Sequence, residues 1–89
     1  GHGFSEPKFL LKAPIEKVTF YYDKETGEKK HTCVIVKDNF GNSLKILFFN
    51  SVYESLLGVP QAKFLVTIQK NYWQGRTSIS LMGCDFQLK

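Results

Sequence analysis

Between Lys70 and Arg76 the chain runs Lys-Asn-Tyr-Trp-Gln-Gly-Arg, which packs two cations, two adjacent rings and two amides into one short stretch. Cations of this kind neutralise phosphates or carboxylates, and flat rings stack on other flat π-systems. Gln74-Gly75 is a turn pair, because glycine accepts the left-handed backbone that tight hairpins need. With strand-like residues on both sides, Ile68 to Asp85 reads as a strand, a turn and a second strand. Two readings of Trp73 are open: a ring exposed for stacking, or a plug closing a hydrophobic core. If the strand continues, Tyr72 and Trp73 point in opposite directions, so at most one of them is core.

The charge is placed to match. The 89 residues carry a formal net charge of +4. Residues 1–22 contribute +1, residues 23–30 and 31–58 are each neutral, and residues 59–89 contribute +3. The excess therefore sits with the hairpin, and a polyanionic partner is the natural inference against a merely solvated basic surface.

No catalytic constellation accompanies it. Gly1-His2-Gly3 has the look of a cloning remnant, which leaves His31 as the one histidine to consider. Cys33, two residues on, is a neighbour on the same strand face and forms no dyad with it. The carboxylates are scattered through loops without metal-cage spacing, and Asp38-Asn39-Phe40-Gly41 is only superficially a kinase tripeptide. The expectation is a non-enzyme with no metal and no cofactor. Cys33 and Cys84 lack the paired spacing of a zinc site and are expected to be buried, reduced thiols, with a disulfide as the alternative.

A chain of this length is one small domain. The 43% hydrophobic and 15% aromatic content supports a folded core. No apolar run is long enough to span a membrane, and no export signal is present, so the expected location is cytoplasmic, or nucleoid-associated if bound to DNA. Lysine- and phenylalanine-rich composition suits an AT-rich bacterial or mobile-element genome.

Residues 4–14, with Pro7 and Pro14, read as an extended leader, and 15–89 as the single domain. Ile15–Tyr22 alternates as a strand with Val18, Phe20 and Tyr22 inward and Tyr21 outward. Asp23–Lys30 is a charged hairpin loop, His31–Lys37 a second strand, Asp38–Asn42 a tight turn and Ser43–Asn50 a third strand. Ser51–Gly58 changes to a helical period, with Ser51 and Glu54 as a capping box. Ala62–Lys70 and Thr77–Phe86 are the fourth and fifth strands, with Phe64, Val66 and Ile68 sharing a face. The fold class is all-β: five strands with a short helix between the third and fourth is the layout of the Greek-key OB-fold barrel. A generic α+β domain is the alternative.

Two segments carry a family resemblance. Asn71-Tyr72-Trp73-Gln74-Gly75-Arg76, followed by Ile79-Ser80-Leu81 and Asp85, resembles the end of the OB domain of RecJ-type, DHH-family single-strand exonucleases. Leu44-Lys45-Ile46-Leu47-Phe48-Phe49-Asn50 resembles that domain's third strand and those of other OB modules. The similarity spans roughly residues 31–87. It is to the OB module alone, since the family's metal-ligating catalytic motifs are absent, so nuclease activity is not implied. The resemblance implies a module that helps hold single-stranded DNA, with Asn71, Trp73, Gly75, Arg76 and Asp85 as the matching positions. Thr77-Ser78-Ile79-Ser80 is more polar than the family pattern, which puts its strand pairing in doubt.

OB barrels that bind single strands lay them across strands two and three, between the loop joining strands one and two and the loop joining strands four and five. The expected contacts are Tyr21, Tyr72 and Trp73 for stacking, and Lys45, Lys70 and Arg76 for phosphates, with Asn71 beside them. Lys24, Lys29, Lys30 and Phe49 are weaker candidates, since the three lysines share their loop with three acids. Phe48 or Phe49 must be buried, and strand parity decides which. His31 reads as structural or solvent-facing. The expected function is non-catalytic single-stranded DNA binding with weak sequence preference, in replication, recombination or repair. The alternatives are a protein–protein assembly module of such a complex and an RNA-binding domain.

Overall fold

The computed structural model describes residues 7–88, apart from the side chains of Asn71, Trp73 and Ser78. Five strands, β1 (Lys8–Tyr22), β2 (Lys29–Lys37), β3 (Ser43–Phe48), β4 (Gln61–Trp73) and β5 (Arg76–Gln87), close into a barrel in the order β1-β2-β3-β5-β4. A 3-10 turn, Glu54–Leu56, lies between β3 and β4. β1, β2 and β3 form an antiparallel meander, and β3 meets β5 in parallel at Ile46↔Leu81 and Leu47↔Met82. This is the OB-fold. Among the described residues no helix is long and apolar enough to cross a membrane.

Closure depends on β1, which begins well before Ile15. Its first half pairs with β4, from Lys8↔Thr67 to Pro14↔Gln61, and its second half pairs with β2, from Ile15↔Val36 to Tyr22↔Lys29. Residues 8–14 are therefore barrel wall, a correction to the leader reading. Glu16 bulges out between Ile15 and Lys17. The extra residue bends the strand so that it serves both neighbours, and it resets the inward parity. Leu11, Ala13 and Ile15 pack inward before it, and Val18 after it. Tyr22, expected in the core, is 59% exposed because the strand ends there at a second irregularity.

The core comprises Ala13, Val34, Val36, Ile46, Phe48, Leu56, Ala62, Phe64 and Val66, the even residues of β2, β3 and β4 supplying most of it. Phe48 is the buried member of the Phe48–Phe49 pair. Its ring sits 5.2 Å from Tyr53 and 6.1 Å from Phe86, both edge-on, and 6.3 Å from Phe64. Such edge-to-face packing suits the ring quadrupole and adds to simple burial. Leu56, fully buried, packs into the same core from the 3-10 turn. Burial of this kind is worth about 1.5–3 kcal/mol for a leucine.

The expected helix over Ser51–Gly58 shrinks to three residues. No side chain caps its start. Thr32, buried on β2, donates its hydroxyl to Ser51 O at 2.7 Å and accepts the N–H of Tyr53 at 3.0 Å. Both bonds pin the segment to β2, and Tyr53, at φ −117° and ψ 76°, is outside the helical region. Ser51 Oγ instead donates to Phe49 O at 3.2 Å, and Glu54 turns to Lys29.

A second bulge, at Cys84, separates Val66↔Gly83 from Leu65↔Asp85. It carries Cys84 out of the wall, so that thiol is exposed where burial was expected; Cys33 is buried, and both are free thiols.

Candidate nucleic-acid interface

Register fixes which side chains share the outer surface of the barrel. Lys17, Ile35 and Lys45 are successive partners across β1, β2 and β3, and Thr19, Cys33, Leu47 and Met82 form the next row, reaching β5. Beyond them Tyr21 pairs with His31, whose ring meets Phe49 edge-on at 5.1 Å. Lys37, opposite Ser43, belongs to the same face, as does Arg76 by alternation from Met82 along β5. Four cations, Lys17, Lys37, Lys45 and Arg76, thus share this surface. Bulged Glu16 brings a carboxylate beside it, whose Oε2 accepts from Ser43 Oγ at 3.1 Å. None of the four cations forms an ion pair among the described residues.

Across this face runs a groove of about 770 Å³ between β3 and the β4–β5 hairpin. Lys45, Leu47 and Phe49 form one wall, and Ile79, Ser80, Leu81 and Met82 the other, with Gln69 of β4. It exists because β5 pairs with β3 only around Leu81 and Met82. Residues 76–80 run on past that junction with β4 as their paired neighbour, forming an arm. The polar stretch 77–80 pairs regularly with β4, from Tyr72↔Thr77 to Gln69↔Ser80, which resolves the doubt over its pairing. The arm closes through Gln74 (φ 48°) and Gly75 (φ 77°), the left-handed pair of a two-residue hairpin turn.

The structure divides the expected contacts. Tyr21 (44% exposed), Lys45 and Phe49 (53% exposed) share the outer face, and Arg76 extends it along the arm. Lys70 and Tyr72 lie on the arm's other face with Ile68, since Lys70 pairs with Ile79 and Tyr72 with Thr77, and Ile79 reaches both that face and the groove from the arm's edge. Tyr72 is 75% exposed there. The side chains of Asn71 and Trp73 lie outside the described residues.

Two of the three lysines at the β1–β2 connection are engaged within the protein. Lys29 Nζ lies 2.8 Å from Glu54 Oε1 and 4.5 Å from the centre of the Phe20 ring, and the Glu54 hydrogen bond raises its pKa. Lys30 approaches Asp23 Oδ2 at 3.8 Å. Asp23 in turn accepts the N–H groups of Glu25 and Thr26, which hold its carboxyl below the usual range. Lys24 has no ion pair among the described residues. On the β2–β3 loop Asp38 Oδ1 accepts from the N–H of Asn42 and Phe40, each at 2.8 Å, and its pKa is lowered, chiefly by Asn42.

Sequence reasoning passed over two residues of this surface. Met82 and Ile79 line the groove, but the bulge at Cys84 hides their parity from a simple count along the strand. His31, read as structural or solvent-facing, sits in the row with Tyr21 and Phe49. Its Nδ1 accepts the N–H of Asn50 at 2.8 Å. Among the described residues no group of three or more His, Cys, Asp or Glu is arranged to hold a metal.

Comparison with known proteins gives a consistent result. A crystal structure of RecJ in complex with Mg2+ from Thermus thermophilus superimposes with a TM-score of 0.63 at 22% identity, over 98% of this chain and 12% of that one. This chain therefore spans about an eighth of the length of that protein, and at this identity the likeness speaks for the fold. No curated protein sequence matches. The family described as RecJ OB domain matches over residues 1–85, nearly the whole chain, and the chain belongs to that family.

Proposed function

We propose that this domain binds single-stranded DNA, without catalysis and with weak sequence preference, as the nucleic-acid-holding module of a RecJ-like system in replication, recombination or repair. The observation that carries the reading is the make-up of the outer face. It bears four cations without carboxylate ion pairs beside exposed Tyr21 and Phe49, along an open groove. Backbone phosphates then meet Lys45 and Arg76, with Lys17 and Lys37 at the opposite flank. Bases stack on the rings, each worth about 1–3 kcal/mol. Such contacts tolerate any base because every base has a π-face. The site lies where OB barrels take single strands, across β2 and β3 between the two hairpin loops.

Fluorescence anisotropy with labelled oligo-dT at two salt concentrations tests this. Binding that weakens steeply with salt supports it; no binding at micromolar protein in low salt overturns it. An equal or tighter affinity for oligo-U would shift the assignment to RNA.

A second reading, a module that docks proteins within a repair complex, draws on the arm's other face, where Ile68 and Tyr72 are exposed and Ile79 stands at the rim shared with the groove. Isolated exposed apolar residues are ordinary, but a contiguous set on a projecting hairpin is a recognised feature of contact surfaces.

A further inference from the structure

We infer that His31 positions Phe49 as a stacking ring, through the hydrogen bond its imidazole accepts from Asn50. This deepens the single-strand reading above and rests on it. Phe49 lies just beyond the last residue of β3, where ladder pairing no longer holds the chain. Asn50 follows with a left-handed backbone, φ 55°. Asparagine tolerates that conformation better than most residues, but it needs external support to persist as one state. The support comes from β2. The Asn50 N–H donates to His31 Nδ1 at 2.8 Å, and the same imidazole meets the Phe49 ring at 5.1 Å with the planes nearly perpendicular, 89°. His31 thus grips the backbone after Phe49 and the edge of its ring at once.

The tautomer follows. A backbone N–H can only donate, so Nδ1 carries the lone pair and the neutral ring holds its proton on Nε2. His31 is therefore an acceptor toward the turn. Tyr21, its register partner on β1, completes a row of three rings across three strands. His31 is half-buried between two exposed rings, which suits a residue that holds a platform more than one that forms its surface.

The test separates positioning from direct contact. His31→Ala is expected to weaken oligo-dT binding about 5- to 10-fold with the salt dependence unchanged. His31→Asn, which keeps an acceptor near the place of Nδ1, is expected to bind within about twofold of the wild type. In a Phe49→Ala background, His31→Ala is expected to cost nothing further, since coupled residues lose their effect together. A salt slope reduced by about 0.7 in His31→Ala would make His31 itself a phosphate contact and overturn the inference. So would an undiminished loss in the Phe49→Ala background. Amide hydrogen exchange of the free protein reads the grip without DNA: Asn50 is expected to be protected in wild type and His31→Asn and to exchange faster in His31→Ala. Unchanged exchange there overturns the inference even where binding holds. A wild type that binds no oligonucleotide overturns the single-strand reading and the stacking role with it, and that failure is distinct from a failure in exchange.

Discussion

Gly83 and Phe48 occupy adjoining space so closely that a Cβ on residue 83 would lie 2.5 Å from Cζ of the ring and 2.6 Å from Cδ1. Phe48 cannot yield, because it is buried against Tyr53, Phe64 and Phe86. Gly83→Ala is therefore expected to destabilise the barrel by at least about 1–3 kcal/mol, the usual cost of overpacking. Urea denaturation measures it. Phe48→Leu in the same chain should recover part of the loss, whereas Phe48→Leu alone should destabilise; additive effects would mean that the two residues do not compete for space.

Acid should loosen the β2–β3 loop through Asp38. Its folded pKa lies below the ordinary aspartate value of 3.8, because the N–H of Asn42 leads the groups that favour the carboxylate. A depressed folded pKa contributes stability that is present above the unfolded value and is lost as the pH falls through the folded one. Denaturation midpoints followed from about pH 5 to about pH 2 are expected to drop in the wild type and to drop less in Asp38→Ala. An equally steep acid limb in the variant would assign the loss to other carboxylates.

At alkaline pH the sign reverses for Lys29. Its pKa is raised above 10.5, first by the hydrogen bond to Glu54. The contribution is present below pH 10.5 and is lost as the pH climbs through the raised folded value. Glu54→Gln should flatten that part of the stability profile, read by thermal melts from about pH 9 to about pH 12. The Glu54 side chain is 63% exposed and that of Lys29 31%, so solvent screens the pair and the effect is expected to be small.

Salt titrations should sort the lysines. If Lys45 and Arg76 each neutralise one phosphate of a single strand, removing either lowers the slope of log K against log salt by about 0.7. Lys29→Ala should leave the slope alone, since that ammonium is committed to Glu54 and the Phe20 ring. A reduced slope in Lys29→Ala would bring the β1–β2 loop into the contact.

Phe49 and Tyr72 offer a comparison between two faces. Phe49→Ala is expected to weaken oligo-dT binding by the worth of a stacked base, about 1–3 kcal/mol, with the melting temperature nearly kept. Tyr72→Ala should change binding by far less, because Tyr72 shares the arm's opposite face with Lys70. Equal losses would mean that the strand wraps around the arm.

Much of the fold was legible in local pattern. Alternation in Ile15–Tyr22 and Ala62–Lys70, the Asp38–Asn42 turn and Gln74-Gly75 each fix their own element with neighbours a few residues away, and the strand order follows. What failed to show depends on distant partners or on single inserted residues. The Ser51–Gly58 segment has a helical period, but Thr32, remote in sequence, pins it to β2 through Ser51 and Tyr53, and Tyr53 is outside the helical region. Lys8–Pro14 has no clear period and becomes strand because β4 offers it an edge. The bulges at Glu16 and Cys84 each shift parity by one, which hid Ile79 and Met82 and misplaced Cys84. In the site, residue types were legible before their faces were. Lys70 and Tyr72 were grouped with Arg76 by proximity in sequence, and the hairpin turns them away from it.

The divided pairing of β1 sets a limit on where this domain can be cut. A fragment starting at Ile15 would keep the meander and the hairpin arm but strip β4 of its partner from Gln61 to Thr67. That row of amides and carbonyls would become a bare sheet margin, with Phe64 and Val66 on the inward side newly wetted. Such margins recruit strands from other molecules. The shortened chain should accordingly purify as higher-order species in gel filtration, and Lys8 marks the latest point at which an expression clone can begin and still enclose its own core.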